Sequence, residues 1–133
     1  ENLLFDLGLE LKKRKDILYK IVNISGQGVK VKDFQKANLP LLNLCNSYKA
    51  LNTHRIDTAI RLRKVISDFK PDIIQTIHFA ADYFTRLACL GMKVPIITNI
   101  RNIKHDKKVH RRFLNKCLSL KTTAFIAISK AVK

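Results

Sequence analysis

KPDIIQTIHFAADYFTRLACLGMKVPIITNIRN, residues 70–102, is punctuated at regular intervals. Pro71-Asp72 opens a short apolar run, Ile73-Ile74-Gln75-Thr76-Ile77, which ends on a polar point, His78. Ala80–Leu90 has helical character and stops before Gly91, a residue suited to the position just past a helix end. A second apolar run, Val94–Thr98, then leads to Asn99-Ile100-Arg101-Asn102. Strand, polar tip, helix, strand, polar tip predicts a βαβ unit. In parallel sheets ligands sit beyond the carboxyl ends of the strands, so both polar tips fall where a site is expected.

The same reading extends outward. Glu1–Arg14 carries Leu3, Leu4, Leu7 and Leu11 on a helical face and closes with Lys12-Lys13-Arg14-Lys15, cations that suit a helix C-terminus. Ile17–Ile24 and Pro40–Cys45 are predicted strands. They are separated by the break Ser25-Gly26-Gln27-Gly28 and a short helix over Val31–Ala37. Asn46–Thr53 reads as a polar loop. His54–Phe69 reads as a helix with Ile56, Ile60, Ile66 and Phe69 inward, stopped by Pro71. Asp72–Ile77 is the third strand and Val94–Thr98 the fourth. Val109–Leu120 is a basic amphipathic helix and Thr123–Ile128 a fifth strand, with Ser129 as the N-cap of a further helix. The strands are continuous apolar runs rather than alternating ones, which implies burial on both faces. Strands alternating with helices predict an α/β fold: a doubly wound parallel sheet with helices on both faces.

Composition narrows the partners. The 133 residues fit one domain. Lys and Arg number 26 against 10 Asp and Glu, a formal charge of +16. That excess points to nucleic acid, an acidic membrane surface or phosphorylated ligands, unless it only solvates the faces of a lysine-rich protein. No apolar stretch reaches the ~18–20 residues of a membrane span, and none has the form of a signal peptide. Because the chain opens straight into a helix at Glu1, its natural start is expected upstream. Cys45, Cys89 and Cys117 are odd in number and widely spaced, as reduced core thiols would be. Gly-x-Gly-x-x-Gly, the phosphate-loop lysine and a Ser-His-Asp arrangement are not found. His105 and His110 lie five apart, poor spacing for a metal on a helix.

Taken in order, these segments resemble the N-terminal domain of a GT-B glycosyltransferase of the family 4 (group 1) type. Glu1–Lys15 is similar to the leucine-rich helix that follows the family's Gly-Gly-x-Glu turn. Lys70-Pro71-Asp72-Ile73-Ile74-Gln75-Thr76 is similar to its kPDviqt strand, and Ala81-Asp82 to its hAD. Ile100-Arg101-Asn102 is similar to its IRN, and Ile126–Val132 to its iavSeav. Where the family often has His before Ala-Asp, this chain has Ala80, with His78 two residues earlier. The resemblance implies a Rossmann-like sheet whose first, central strand and glycine turn precede Glu1. It also implies a separate C-terminal domain that binds the nucleotide sugar through a carboxylate pair. Without that first strand, the fold is expected to be marginal or to force the second strand against the third.

The resemblance further implies retaining transfer of a sugar from a nucleotide-sugar donor, without a cofactor or metal, to a lipid-linked or polysaccharide acceptor of the bacterial envelope. The N-terminal domain holds the acceptor, and the fragment alone is expected to be inactive. Acceptor contacts are then expected at His78, Arg101, Asn102, Asp82 and Ser129. Arg suits phosphate through paired hydrogen bonds, Asn both donates to and accepts from a sugar hydroxyl, and His can bond either. Asp82 and Ser129 also fit plainer roles, at a helix dipole and an N-cap. Lys104, Lys107, Lys108, Arg111, Arg112 and Lys116 could meet anionic headgroups on the inner face of the plasma membrane. Two other readings remain: a basic nucleic-acid-binding module and a non-catalytic remnant of a split gene.

Overall fold

The computed structural model describes residues 2–100 and 118–127. The chain divides into two compact units, Glu1–Asn52 and Thr53–Lys133.

In the first unit, α1 (Asn2–Lys13) leads to β1 (Ile21–Asn23), α2 (Val31–Lys36), β2 (Leu41–Asn43) and a 3-10 turn, Tyr48–Leu51. β1 and β2 are parallel, with Ile21 opposite Leu41 and Asn23 opposite Asn43. Ile21, Phe34 and Leu39 form the buried centre, and Leu4, Phe5, Leu9, Tyr19, Ala37 and Leu41 pack on it. Burial of each large side chain contributes about 1.5–3 kcal/mol. The Phe5 ring meets Phe34 edge-on at 5.2 Å. The inward face of α1 is therefore Leu4, Phe5, Gly8 and Leu9; Leu3, expected inside, is exposed. A Cβ on Gly8 would stand only 3.0 Å from Leu39 Cδ1 and 3.3 Å from Ile21 Cδ1, so the missing side chain lets the helix lie close to β1.

At the carboxyl ends of β1 and β2 two loops touch. Gly26 has φ +67°, and a Cβ there would fall 1.8 Å from the Cys45 carbonyl oxygen. Only glycine fits this crossing. The Ser25 hydroxyl sits 3.2 Å from Asn23 Oδ1, and Gln27 Nε2 donates to the Asn46 carbonyl at 3.2 Å.

The second unit holds α3 (Ile56–Phe69), β3 (Ile74–Ile77), α4 (Phe79–Ala88), β4 (Ile96–Ile100) and β5 (Ala124–Ala127). Its three strands are parallel in the order β3-β4-β5, with Ile74 opposite Ile96 and Ile97 opposite Ala124. α3 ends at Lys70 in the left-handed conformation, just before Pro71. The α3 face that is buried is Thr58, Ala59, Leu62 and Ile66. Ile56 and Ile60, expected inside, are 63% and 64% exposed. Two apolar stripes compete on this helix, and Thr58, Ala59, Leu62 and Ile66 form the buried one, with α3 packed against α4. Arg63 reinforces that contact by donating Nη1 to the Ala88 and Leu90 carbonyls at 2.7 Å each, which satisfies the free end of α4.

At the start of α3, Arg55 donates Nε and Nη2 to the two Asp57 oxygens, both at 2.7 Å. This bond holds the Asp57 carboxyl down at about 2, from an ordinary 3.8. A depressed carboxylate contributes stability above its unfolded value and loses it as pH falls through the folded one. The contribution should therefore be whole above pH ~4 and gone near pH ~2. A carbon-detected NMR titration should place the Asp57 midpoint well below that of the Arg55→Ala variant.

The mixed α/β character and the parallel pairing agree with the expected fold class, but the single expected sheet is two small ones. β1 pairs with β2, and β3 with β4 and β4 with β5. The strands are also shorter than their apolar runs, because Ile17–Tyr19 and Ile73 pair with no strand. Burial on both faces is approached only at β4, whose Ile96, Thr98 and Asn99 are buried; Phe125 and Ile126 of β5 are exposed. The Asn46–Thr53 loop contains the 3-10 turn, capped by Ser47 Oγ accepting from the Lys49 N–H at 3.1 Å. Most of the expected Val109–Leu120 helix lies outside the described residues. Its end is described, and Leu120 is exposed where the chain turns toward β5. Among the described residues no helix is long and apolar enough to cross a membrane.

Candidate functional site

β3 and β4 run in parallel into the region where the polar tips were expected. At the end of β3, His78 is exposed and stands at the N-cap of α4, with φ 78° and ψ 153°. That backbone region belongs almost entirely to glycine and costs a side-chain-bearing residue about 1–3 kcal/mol. This turn takes the chain from strand into helix with His78 as the one intervening residue. His78 makes no capping hydrogen bond with its side chain, and its carbonyl accepts the Asp82 N–H at 3.0 Å.

Asp82 points the other way from solvent. It is 7% exposed, and its Oδ1 accepts a short hydrogen bond from the Thr76 hydroxyl. Thr76 and Thr98 are opposite one another across β3 and β4, with their hydroxyl oxygens 3.2 Å apart. Arg86, one helical turn after Asp82 and 2% exposed, donates Nη2 to Thr98 Oγ1 at 3.2 Å. A carboxylate is the strongest acceptor for the Thr76 proton. The donors then align in one direction, Arg86 to Thr98 to Thr76 to Asp82, from guanidinium to carboxylate. Each link polarises the next. Two opposite charges on one face of α4 are thereby tied through two threonines to two strands. The Arg86 guanidinium also lies 5.9 Å from the centre of the Phe125 ring, reaching β5. This buried chain fixes α4, and with it the His78 turn, on the sheet.

Threonines 76 and 98 face α4, so Ile77 and Asn99 face the opposite side of the sheet. Asn99 is buried, and among the described residues its Oδ1 has no hydrogen-bond partner. It stands immediately before Ile100-Arg101-Asn102.

No protein family matches the chain, and comparisons with curated proteins and with solved structures find no match.

Of the expected site residues, the described region brings His78 and Asp82 onto the first turn of one helix and separates their roles. His78 faces solvent, whereas Asp82 is spent on β3. Arg101, Asn102, Ser129, Lys104, Lys107, Lys108, Arg111, Arg112 and Lys116 lie outside the described residues. The dipole role expected for Asp82 is only part of its work, since it also accepts the Thr76 hydroxyl. Thr76, Arg86 and Thr98 are not among the expected site residues; Asn99, expected in the second polar tip, lies within β4. The available signal was a Thr recurring at matching depth in two apolar strands, together with an Asp–Arg pair four apart on the intervening helix. Cys45 and Cys89 are free thiols; burial pushes the Cys89 thiol up. Among the described residues no three His, Cys, Asp or Glu side chains gather as a metal site would require.

Proposed function

We propose that the chain is the acceptor-binding, N-terminal part of a retaining GT-B glycosyltransferase of the family 4 type. The fold in this reading is a Rossmann-like doubly wound parallel sheet, with a preceding strand at its centre. The observation that carries the proposal is His78: an exposed imidazole at the carboxyl end of a parallel strand, on a strained turn, at the N-terminus of a helix pinned from below. The order of the sequence motifs from Glu1 to Val132 adds to it.

In this reading the intact protein moves a sugar from a nucleotide-sugar donor to a lipid-linked or polysaccharide acceptor of the envelope. A second domain holds the donor. His78 bonds a hydroxyl or phosphate oxygen of the acceptor, Arg101 grips phosphate through two parallel N–H bonds, and Asn102 orients a sugar hydroxyl. Ser129 serves as a helix cap and a minor acceptor contact. Lys104, Lys107, Lys108, Arg111, Arg112 and Lys116 hold the protein against anionic headgroups at the cytoplasmic membrane face.

Calorimetry with a short-chain prenyl diphosphate-linked monosaccharide tests this. Arg101→Ala should weaken binding about tenfold, the loss of one charge-assisted phosphate contact, and leave nucleotide-sugar binding unchanged. Equal affinity of the variant and the parent for the probe would remove Arg101 from the site.

A further inference from the structure

We propose that the turn joining α1 to β1, Lys12–Lys20, docks on an anionic lipid bilayer. It lies wholly within the first unit and is separate from the basic stretch after residue 103. It does not rest on the glycosyltransferase reading.

Two observations meet here. The first is apolar exposure. Leu18 is 85% exposed and its neighbour Ile17 40% exposed. They are held out by their surroundings rather than left loose. The next residue, Tyr19, packs on the unit's core and donates its hydroxyl to the Gly8 carbonyl at 3.0 Å. Just before them, Arg14 grips both Asp16 oxygens, at 2.9 and 2.8 Å. The turn is thus anchored by Tyr19 after the outward-facing aliphatic pair and stiffened by the local Arg14–Asp16 pair before it.

The second is charge. Lys12, Lys13, Arg14, Lys15 and Lys20 surround the pair, with Asp16 the one acid in the run. Asp16 is already engaged by Arg14, and that bond keeps its carboxyl below the ordinary range. All five cationic residues are exposed. Lys12 also donates Nζ to the Ala37 carbonyl at 2.7 Å, so the end of α2, with exposed Lys36, adjoins the same patch.

An aliphatic tip ringed by cations matches the two layers of an anionic membrane surface. The apolar side chains enter the acyl boundary while the cations stay at the level of the phosphates. A nucleic acid would satisfy the cations and leave Leu18 and Ile17 in water. Binders of single strands use aromatic side chains for stacking, and the one aromatic here, Tyr19, is committed to the core.

The chain contains no tryptophan, so Leu18→Trp supplies a single fluorescent reporter at the tip. Mixed with vesicles of phosphatidylcholine and phosphatidylserine, it should shift its emission to the blue; phosphatidylcholine vesicles alone should leave it unchanged. Leu18→Ser should lower the partition constant on the anionic vesicles about tenfold, with the far-ultraviolet circular dichroism unaltered. Lys15→Glu should lower it by a similar factor, and raised salt should weaken it further. The proposal is overturned if the Leu18→Trp emission stays fixed on anionic vesicles, or if Leu18→Ser binds them as tightly as the parent. It is equally overturned if the chain binds duplex DNA tightly with a steep salt dependence while showing no preference among vesicles.

Discussion

Asp82→Ala should lower the stability of the second unit by about 3 kcal/mol, the scale on which removal of one member of a buried charged network destabilises a protein. The carboxylate is 7% exposed and terminates a run of donors that begins at Arg86. Without it the Thr76 hydroxyl keeps only the Ile97 carbonyl, at 3.3 Å, and the run of donors from Arg86 loses its anionic end. Asp82→Asn preserves shape and an acceptor oxygen but not the charge, so it should recover part of the loss. Thr98→Val interrupts the run in the middle and should cost about 1–2 kcal/mol. Urea unfolding followed by circular dichroism separates these cases. A loss below about 0.5 kcal/mol for Asp82→Ala, the range of ordinary surface substitutions, would show that the network does not hold α4.

The second large effect belongs to the first unit. Gly26→Ala should destabilise it by more than about 2 kcal/mol, because a positive φ and a backbone collision act together. The added Cβ would sit 1.8 Å from the Cys45 carbonyl oxygen, and the loops cannot part without breaking the bonds from Gln27 Nε2 to the Asn46 carbonyl and from the Cys45 N–H to the Ile24 carbonyl. Gly91 provides the internal control. It too has a positive φ, +80°, but nothing lies within 4 Å of a Cβ placed there. Gly91→Ala should therefore show the conformational cost alone, about 1–2 kcal/mol. Equal losses for the two variants in the same denaturation experiment would mean that the contact at Gly26 relaxes freely.

The βαβ unit was legible because its boundaries are chemical. Pro71 ends α3, His78 interrupts an apolar run, and Gly91 and Pro95 separate α4 from β4. Pro71 and Pro95 restrict their own backbone and that of the preceding residue, and Gly91 takes the positive φ past the end of α4 at little cost, so the signal is local. Where the reading missed, the deciding information was not local. Ile56 and Ile60 make a helical stripe as regular as the true one, and only the approach of α4 selects Ala59 and Leu62 instead. Ile17 and Leu18 look like the start of a strand, yet β1 begins at Ile21, where Leu41 stands opposite. The buried polar run needed the register of β3 on β4 to bring Thr76 to Thr98, and register is a property of the pair of strands.

The candidate site divides in the same way. His78 could be foreseen because the carboxyl end of a parallel strand is defined by topology alone. That Asp82 turns inward could not, since a first-turn carboxylate serves the helix dipole equally well facing water. The Gly26 crossing lay hidden for the same reason: Ser25-Gly26-Gln27-Gly28 announces a break, and only the folded chain brings Cys45 to it.

In the proposed function the acceptor binds at the carboxyl ends of β3 and β4. Backbone amide shifts test it most directly, recorded while the chain is titrated with a short-chain prenyl diphosphate-linked monosaccharide. Saturable shifts concentrated at His78–Ala81 and Asn99 are expected, with their midpoint moved about tenfold higher in ligand concentration by Arg101→Ala. Shifts confined to Lys12–Lys20, or none at concentrations well above the millimolar range, would contradict it.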